Sequence, residues 1–175
     1  MTAFQLDQCL DSKRFARECA AEGFCQTLRL PPALRNAEDA QLLTVLMADP
    51  NPLLTFDRTL PDEHTSSIPD QHPGIIVVTN FPAPQTLTIQ IAQRVLNRFK
   101  TFFPAWHQVS WRNSIVELTT IGIEVRHVAN GRLVKDVYFS FDEADWAARL
   151  LTTLQRNSQG ASVANTPLSV TDLDA

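Results

Sequence analysis

Three aspartates, Asp7, Asp39 and Asp57, are the residues of this chain best placed to do chemistry together. Asp7 follows the apolar stretch Ala3-Phe4-Gln5-Leu6, and Asp57 follows Leu53-Leu54-Thr55-Phe56. Asp39 falls in the first turn of a helical pattern. Gathered carboxylates repel: two unit charges about 4 Å apart cost on the order of 4 kcal/mol at an effective dielectric near 20. A fold that collects three of them needs a cation or must protonate one. Hard oxygen donors with few histidines point to Mg²⁺ or Mn²⁺. Such an ion lowers the pKa of a bound water and clamps a phosphate oxygen, which is the chemistry of phosphodiester hydrolysis. Each acid also has a local role open to it. Asp7 could cap the loop before the first helix, Asp39 could favour its helix dipole, and Asp57 could form an Asx-turn.

The elements that must position these acids are legible in the apolar pattern. Ala3–Leu6 predicts a strand, and Asp11-Ser12 a helix N-cap. Phe15, Cys19 and Ala20 recur at helical spacing from Lys13 to Glu22, and Gly23 ends that helix. Cys25 to Leu30 reads as a second strand, closed by Pro31-Pro32. A helix over 38–48 carries Leu42, Leu43, Leu46 and Met47 on one face, and Asp49-Pro50-Asn51-Pro52 breaks it. Leu53–Phe56 is a third strand. The polar stretch 59–73 reads as a short irregular helix or a functional lid. Gly74-Ile75-Ile76-Val77-Val78 reads as a buried central strand. Strands alternating with helices predict a parallel sheet, whose sites lie at the strands' C-terminal ends. Asp7 and Asp57 belong there, and Asp39 begins a helix on that side.

Beyond a Pro82–Pro84 hinge, the second half predicts a long helix over 87–103. Strand character follows from Ser114 to Phe141. Asn130-Gly131 is a hairpin turn joining 123–128 to 133–139. A last helix is expected over 141–154. The chain therefore reads as one α/β domain over 1–156, with a motif-bearing half (3–80), a covering helix, hairpin and helix (81–156), and a loose polar tail (157–175).

The bulk composition agrees with one packed domain. Among 175 residues, 44% are hydrophobic and 19% charged, a globular balance. The net charge of −4 is uneven: residues 1–80 hold 6 Lys/Arg against 11 Asp/Glu, and residues 81–175 hold 9 against 8. No overall basic surface is offered to nucleic acid. No apolar run is long enough for a bilayer, and the N-terminus lacks a signal-peptide pattern, so a cytoplasmic protein without membrane contact is expected. Cys9, Cys19 and Cys25 lack metal-site spacing and are expected to be buried, reduced thiols.

Four short stretches resemble, in order, the motifs of PIN-like proteins of the small stand-alone type. Phe4-Gln-Leu-Asp-Gln-Cys-Leu10 is similar to their opening strand. Leu34-Arg-Asn-Ala-Glu-Asp-Ala-Gln-Leu-Leu43 resembles their second motif, a small residue and an acid opening a helix. Leu53-Leu-Thr-Phe-Asp-Arg58 resembles a strand ending in Thr-x-Asp. His72-Pro-Gly-Ile-Ile-Val-Val78 is similar to their Pro-Gly-Val strand. The resemblance covers about residues 3–80. It implies a PIN-like three-layer fold with a central, mostly parallel sheet, here followed by a C-terminal β-hairpin and helix. It also implies a Mg²⁺- or Mn²⁺-dependent ribonuclease, often the toxin of a toxin–antitoxin pair, so RNA and an antitoxin protein are the implied partners. By carry-over Asp7, Asp39 and Asp57 would hold the metal and carry catalysis. Gln8 and Thr59 stand where the family often has acids, and Asp62 or Glu63 could substitute from the loop. The alternative is a catalytically silent PIN-like binding or interaction module.

Basic and aromatic residues complete the expectations. Arg58, fixed beside Asp57, is the expected phosphate-holding residue, while Lys13, Arg14 and Arg35 should lie near the same edge. Arg94, Arg98, Lys100, His107 and Arg112 interleave with Phe102, Phe103, Trp106 and Trp111. That mix could stack on single-stranded RNA or line a homodimer surface, though a helix packing its aromatic side is the commoner case. His64 and His72 read as exposed loop histidines.

Overall fold

In the computed structural model, residues 3–21, 25–79 and 89–160 are described. Gly23, the Pro82–Pro84 hinge and the first residues of the expected 87–103 helix lie outside them, as does the tail from 161 on. The first half folds as β1 (Ala3–Leu6), α1 (Lys13–Ala21), β2 (Gln26–Leu28), α2 (Asp39–Leu46), β3 (Leu53–Thr55), α3 (Leu60–Glu63) and β4 (Ile75–Val78). The second half adds α4 (Ile89–Phe102), β5 (Ile115–Leu118), β6 (Gly122–Ala129), β7 (Arg132–Ser140) and α5 (Trp146–Ser158). No helix among the described residues is long and apolar enough to cross a membrane.

The seven strands among the described residues form one sheet in the order β2-β1-β3-β4-β5-β6-β7. The first five are parallel, and β6 and β7 add to β5 antiparallel. The C-terminal hairpin therefore extends the sheet. Its turn uses the predicted Asn130-Gly131 pair, both at positive φ, 53° and 69°. The α/β class expected from the alternation of apolar runs is thus what the chain adopts.

Strand residues alternate between two apolar cores. Leu54, Ile76, Val78, Val116 and Leu118 face the first, with Phe15 and Cys19 of α1, Leu96 and Phe99 of α4, and Leu150 and Leu154 of α5. Leu53, Ile75, Val77 and Ile115 face the second, with Leu42, Leu43 and Leu46 of α2 and Leu60 of α3. A sheet buried on both faces explains why its central strands are apolar without interruption. The arrangement is compatible with a three-layer α/β fold. Aromatic rings fill the first core: Phe4 stacks on Trp106 at 5.1 Å, and Phe99 meets Trp106 edge-on at 5.8 Å. Trp106, Trp111 and Phe103 are buried, so of the aromatic residues proposed to meet RNA only Phe102 is exposed.

Several expectations change in detail. The last helix begins at Trp146 rather than 141, because residues 140–143 close a turn: Glu143 N–H donates to the Ser140 carbonyl, and Ser140 N–H donates to the Glu143 carboxylate. It continues through Asn157 and Ser158, which the composition assigned to the tail. Asn157 is buried, with its side-chain amide donating to Ser114 Oγ and to Asp136. The 59–73 stretch contains α3 and a 3-10 turn at Thr65–Ser67. His72 is buried rather than exposed, and Cys9 is exposed rather than buried.

Candidate functional site

The order of strands fixes where a site belongs. From β1 the chain passes outward to β2, then returns to place β3 on the other side of β1. The crevice at the C-terminal ends of β1 and β3 is therefore the topological switch point, the usual ligand site of such sheets. Asp7 and Asp57 both stand there, one just after β1 and the other two residues after β3.

Asp7 is buried and ties the two strands together. Its Oδ2 accepts from the Thr55 hydroxyl at 2.7 Å and from the Cys9 thiol at 3.2 Å. Its Oδ1 accepts from Gln8 N–H at 2.6 Å, capping the 3-10 turn Gln8–Leu10. Cys9 is exposed as a residue, but its sulfur is turned in against Asp7. Its pKa is pushed up to about 12, first by desolvation of the sulfur and then by the Asp7 charge, so the thiol keeps the proton it donates. A carboxylate offers about four lone-pair sites, and three of Asp7's are taken. Truncation at Asp7 strands the Thr55 hydroxyl beneath the surface. We expect Asp7→Ala to lower stability by about 2 kcal/mol in urea unfolding, whether or not divalent ions are present. An unchanged midpoint would contradict that structural role.

Asp57 makes the Asx-turn open to it. Its Oδ1 accepts from Thr59 N–H at 2.9 Å and from the Thr59 hydroxyl at 3.0 Å. Thr59 is thus a donor to Asp57. Thr55 links the two acids: its Oγ1 donates to Asp7 and accepts from Asp57 N–H at 3.0 Å. Asp39 opens α2 as expected, and its carboxylate lies 3.7 Å from His64 Nε2. Position 8 also differs from an acid in its action: the Gln8 amide donates to the carbonyls of Leu34 and Ala37, holding the segment before α2 against β1.

The three aspartates thus share one edge of the sheet, but their carboxylate oxygens engage three separate sets of partners. Among the described residues, no three or more His, Cys, Asp or Glu side chains form a group able to hold a metal ion. As arranged, the donor set does not fit Mg²⁺ or Mn²⁺, which require several oxygens within about 2–2.6 Å of one point.

Arg58, Arg35, Arg14 and Asp62 are engaged with other side chains. Arg58 reaches Glu117 at 3.0 Å, and Arg35 and Arg29 both pair with Asp11, at 3.4 and 2.9 Å. Both carboxylate oxygens of Asp62 accept from Arg126 Nη1 at 3.0 Å. Glu63 ends α3. Arg14 forms an i,i+4 pair with Glu18.

Comparison with protein-family models, with curated proteins and with solved structures finds no match.

Glu117 is the residue that sequence reasoning missed. It lies on β5, its side chain only 7% exposed, with Arg58 at 3.0 Å and Arg126 Nη2 at 3.9 Å. Burial pushes its carboxyl pKa up, opposed by Arg58 and Arg126. The signal was available: Ile115-Val116-Glu117-Leu118 carries one acid inside an apolar strand. Thr55 pairs with Val77 and Val77 with Glu117, so two strand spacings, roughly 10 Å, separate the backbone of Glu117 from that of Thr55. Glu117 therefore belongs to the Arg58–Arg126 ion network, two strands away from Thr55.

Proposed function

We propose that the chain is a PIN-like α/β domain that works as a binding or interaction module, without metal-dependent catalysis. The observation that carries this reading is the separation of the three aspartates. Asp7 is committed to Thr55, Cys9 and Gln8, Asp57 to Thr59, and Asp39 faces His64. The residues at positions 8 and 59 support it further, because both use their polar groups to hold the local backbone. Exposed apolar side chains on the edge strand, Val134 and Tyr138, each 40% exposed, give such a module surface to offer a partner.

A second reading, a ribonuclease hydrolysing RNA phosphodiester bonds and held in check by an antitoxin, is favoured by one observation. Asp7 and Asp57 flank the switch point and are joined through a single hydroxyl, that of Thr55.

An RNA-cleavage assay separates the two. Labelled single-stranded RNA incubated with the full chain and Mn²⁺ or Mg²⁺ should remain intact, and Asp57→Asn should behave identically. Cleavage by the wild type that disappears in Asp57→Asn would overturn the module reading in favour of the nuclease.

A further inference from the structure

The opposite edge of the sheet holds a second polar cluster that neither reading uses. Along the β6–β7 ladder Val125 pairs with Val137, but Arg126 pairs with Lys135, so Asp136 is the extra residue of a bulge. A bulge breaks the in–out alternation and re-aims a side chain, and bulges are enriched beside functional sites. Here Val137 packs into the first core, and the bulge turns Asp136 to that same side, toward α5. There its Oδ1 lies 2.9 Å from His127 Nδ1 and accepts from Arg156 Nη2 at 3.1 Å, while Oδ2 accepts from the Asn157 amide at 3.0 Å. The Asp136 side chain is only 7% exposed.

This arrangement fixes the imidazole. In the neutral imidazole, a carboxylate on Nδ1 selects the tautomer in which Nδ1 carries the proton, leaving Nε2 as an acceptor. His127 lines a cavity of about 450 Å³ between the Asn130-Gly131 turn, the Asp70-Gln71 loop and the end of α5. That volume lies in the range of small-molecule sites, roughly 300–1,000 Å³. The rest of the wall is rich in side-chain amides, from Gln71, Asn130 and Gln159, and carries one carboxylate, Asp70. No lysine or arginine lines it among the described residues, so the wall carries nothing to neutralise an anion. Carboxylate, amides and an oriented imidazole acceptor together match the donor–acceptor pairs of hydroxyl groups.

We infer that this cavity binds a neutral, hydroxyl-rich small molecule, one hydroxyl donating to His127 Nε2 and another to the Asp70 carboxylate. Free sugars and the ribose of a nucleoside share that chemistry. The test is a ¹H–¹⁵N NMR titration of the full chain with D-glucose, D-ribose and adenosine in turn. Shifts at Asn130, Gly131 and the His127 ring are expected with at least one probe; a response to the sugars marks a free-sugar site, and a response to adenosine alone a nucleoside site. His127→Phe should weaken binding by about tenfold or more, the loss of one buried polar contact. Asp70→Asn, at an exposed position and with an amide oxygen still able to accept from Asn130 N–H, should weaken it in the same direction. No shift with any of the three probes, or equal affinity in wild type, His127→Phe and Asp70→Asn, would overturn the proposal.

Discussion

Gly74→Ala should destabilise the fold more than any exposed substitution, on the order of 4 kcal/mol. Gly74 has φ of +115°, a region that side chains rarely adopt, and an added Cβ would lie 2.5 Å from the Trp111 carbonyl oxygen. Both obstacles are rigid. The backbone here opens β4, the central strand, through Leu53 N–H donating to the Gly74 carbonyl at 2.9 Å. Trp111 is itself buried against Phe4 and Phe99 and cannot retreat. Urea unfolding of the variant should show a midpoint collapsed toward zero, or an insoluble protein. A near-native midpoint would mean that the loop before β4 can move away from Trp111. The glycine of the Pro73-Gly74 motif thereby gains a physical reason: no other residue fits between β4 and the Trp111 backbone.

Acid should unfold the protein partly through His72. This histidine is 2% exposed, and its Nδ1 accepts from Gly74 N–H at 3.2 Å, so it is held neutral. Its backbone is clasped to Asn113 in both directions, at 3.0 and 2.9 Å. Burial lowers its pKa from 6.5 to about 4, against a small opposing pull from Asp70. The unfolded chain therefore binds the proton more readily than the folded one between those values. The associated stability is present above about pH 6.5 and is lost as pH falls toward 4, about 3 kcal/mol in all. Glu117 acts with the opposite sign. Its raised pKa gives stability that is full below the ordinary 4.5 and is lost as pH rises through the folded value. Comparing wild type with His72→Gln cancels that term. Urea unfolding from pH 7 to pH 4 should show a steeper loss in the wild type, and equal slopes in both proteins would contradict the assignment.

The fold was legible where burial alone decides. Ile75-Ile76-Val77-Val78 is apolar at every position because both faces of β4 are covered, and Leu42, Leu43 and Leu46 mark the one covered face of α2. The start of α5 was not legible: Phe141 fits the apolar stripe of a helix, yet it packs on Trp146 at 5.1 Å from within a turn. The crevice was half legible. Residues after strands can be placed on an edge by topology, and Asp7, Asp39 and Asp57 do share that edge. Whether their side chains converge depends on donors such as Thr55, Cys9 and Thr59, which no acid pattern reveals. The His127–Asp136 pair was hidden for a different reason. Eight residues of hairpin lie between the two, and their meeting depends on the cross-strand register of β6 and β7, which no residue pattern reveals.

The most direct test of the account is calorimetric titration of Mn²⁺ into the wild-type chain, with Asp57→Asn alongside. Carboxylates committed to separate local partners should give no heat of binding in either protein. Saturable Mn²⁺ binding by the wild type that vanishes in Asp57→Asn would show that the aspartates gather around an ion after all, and the interaction-module reading would fall.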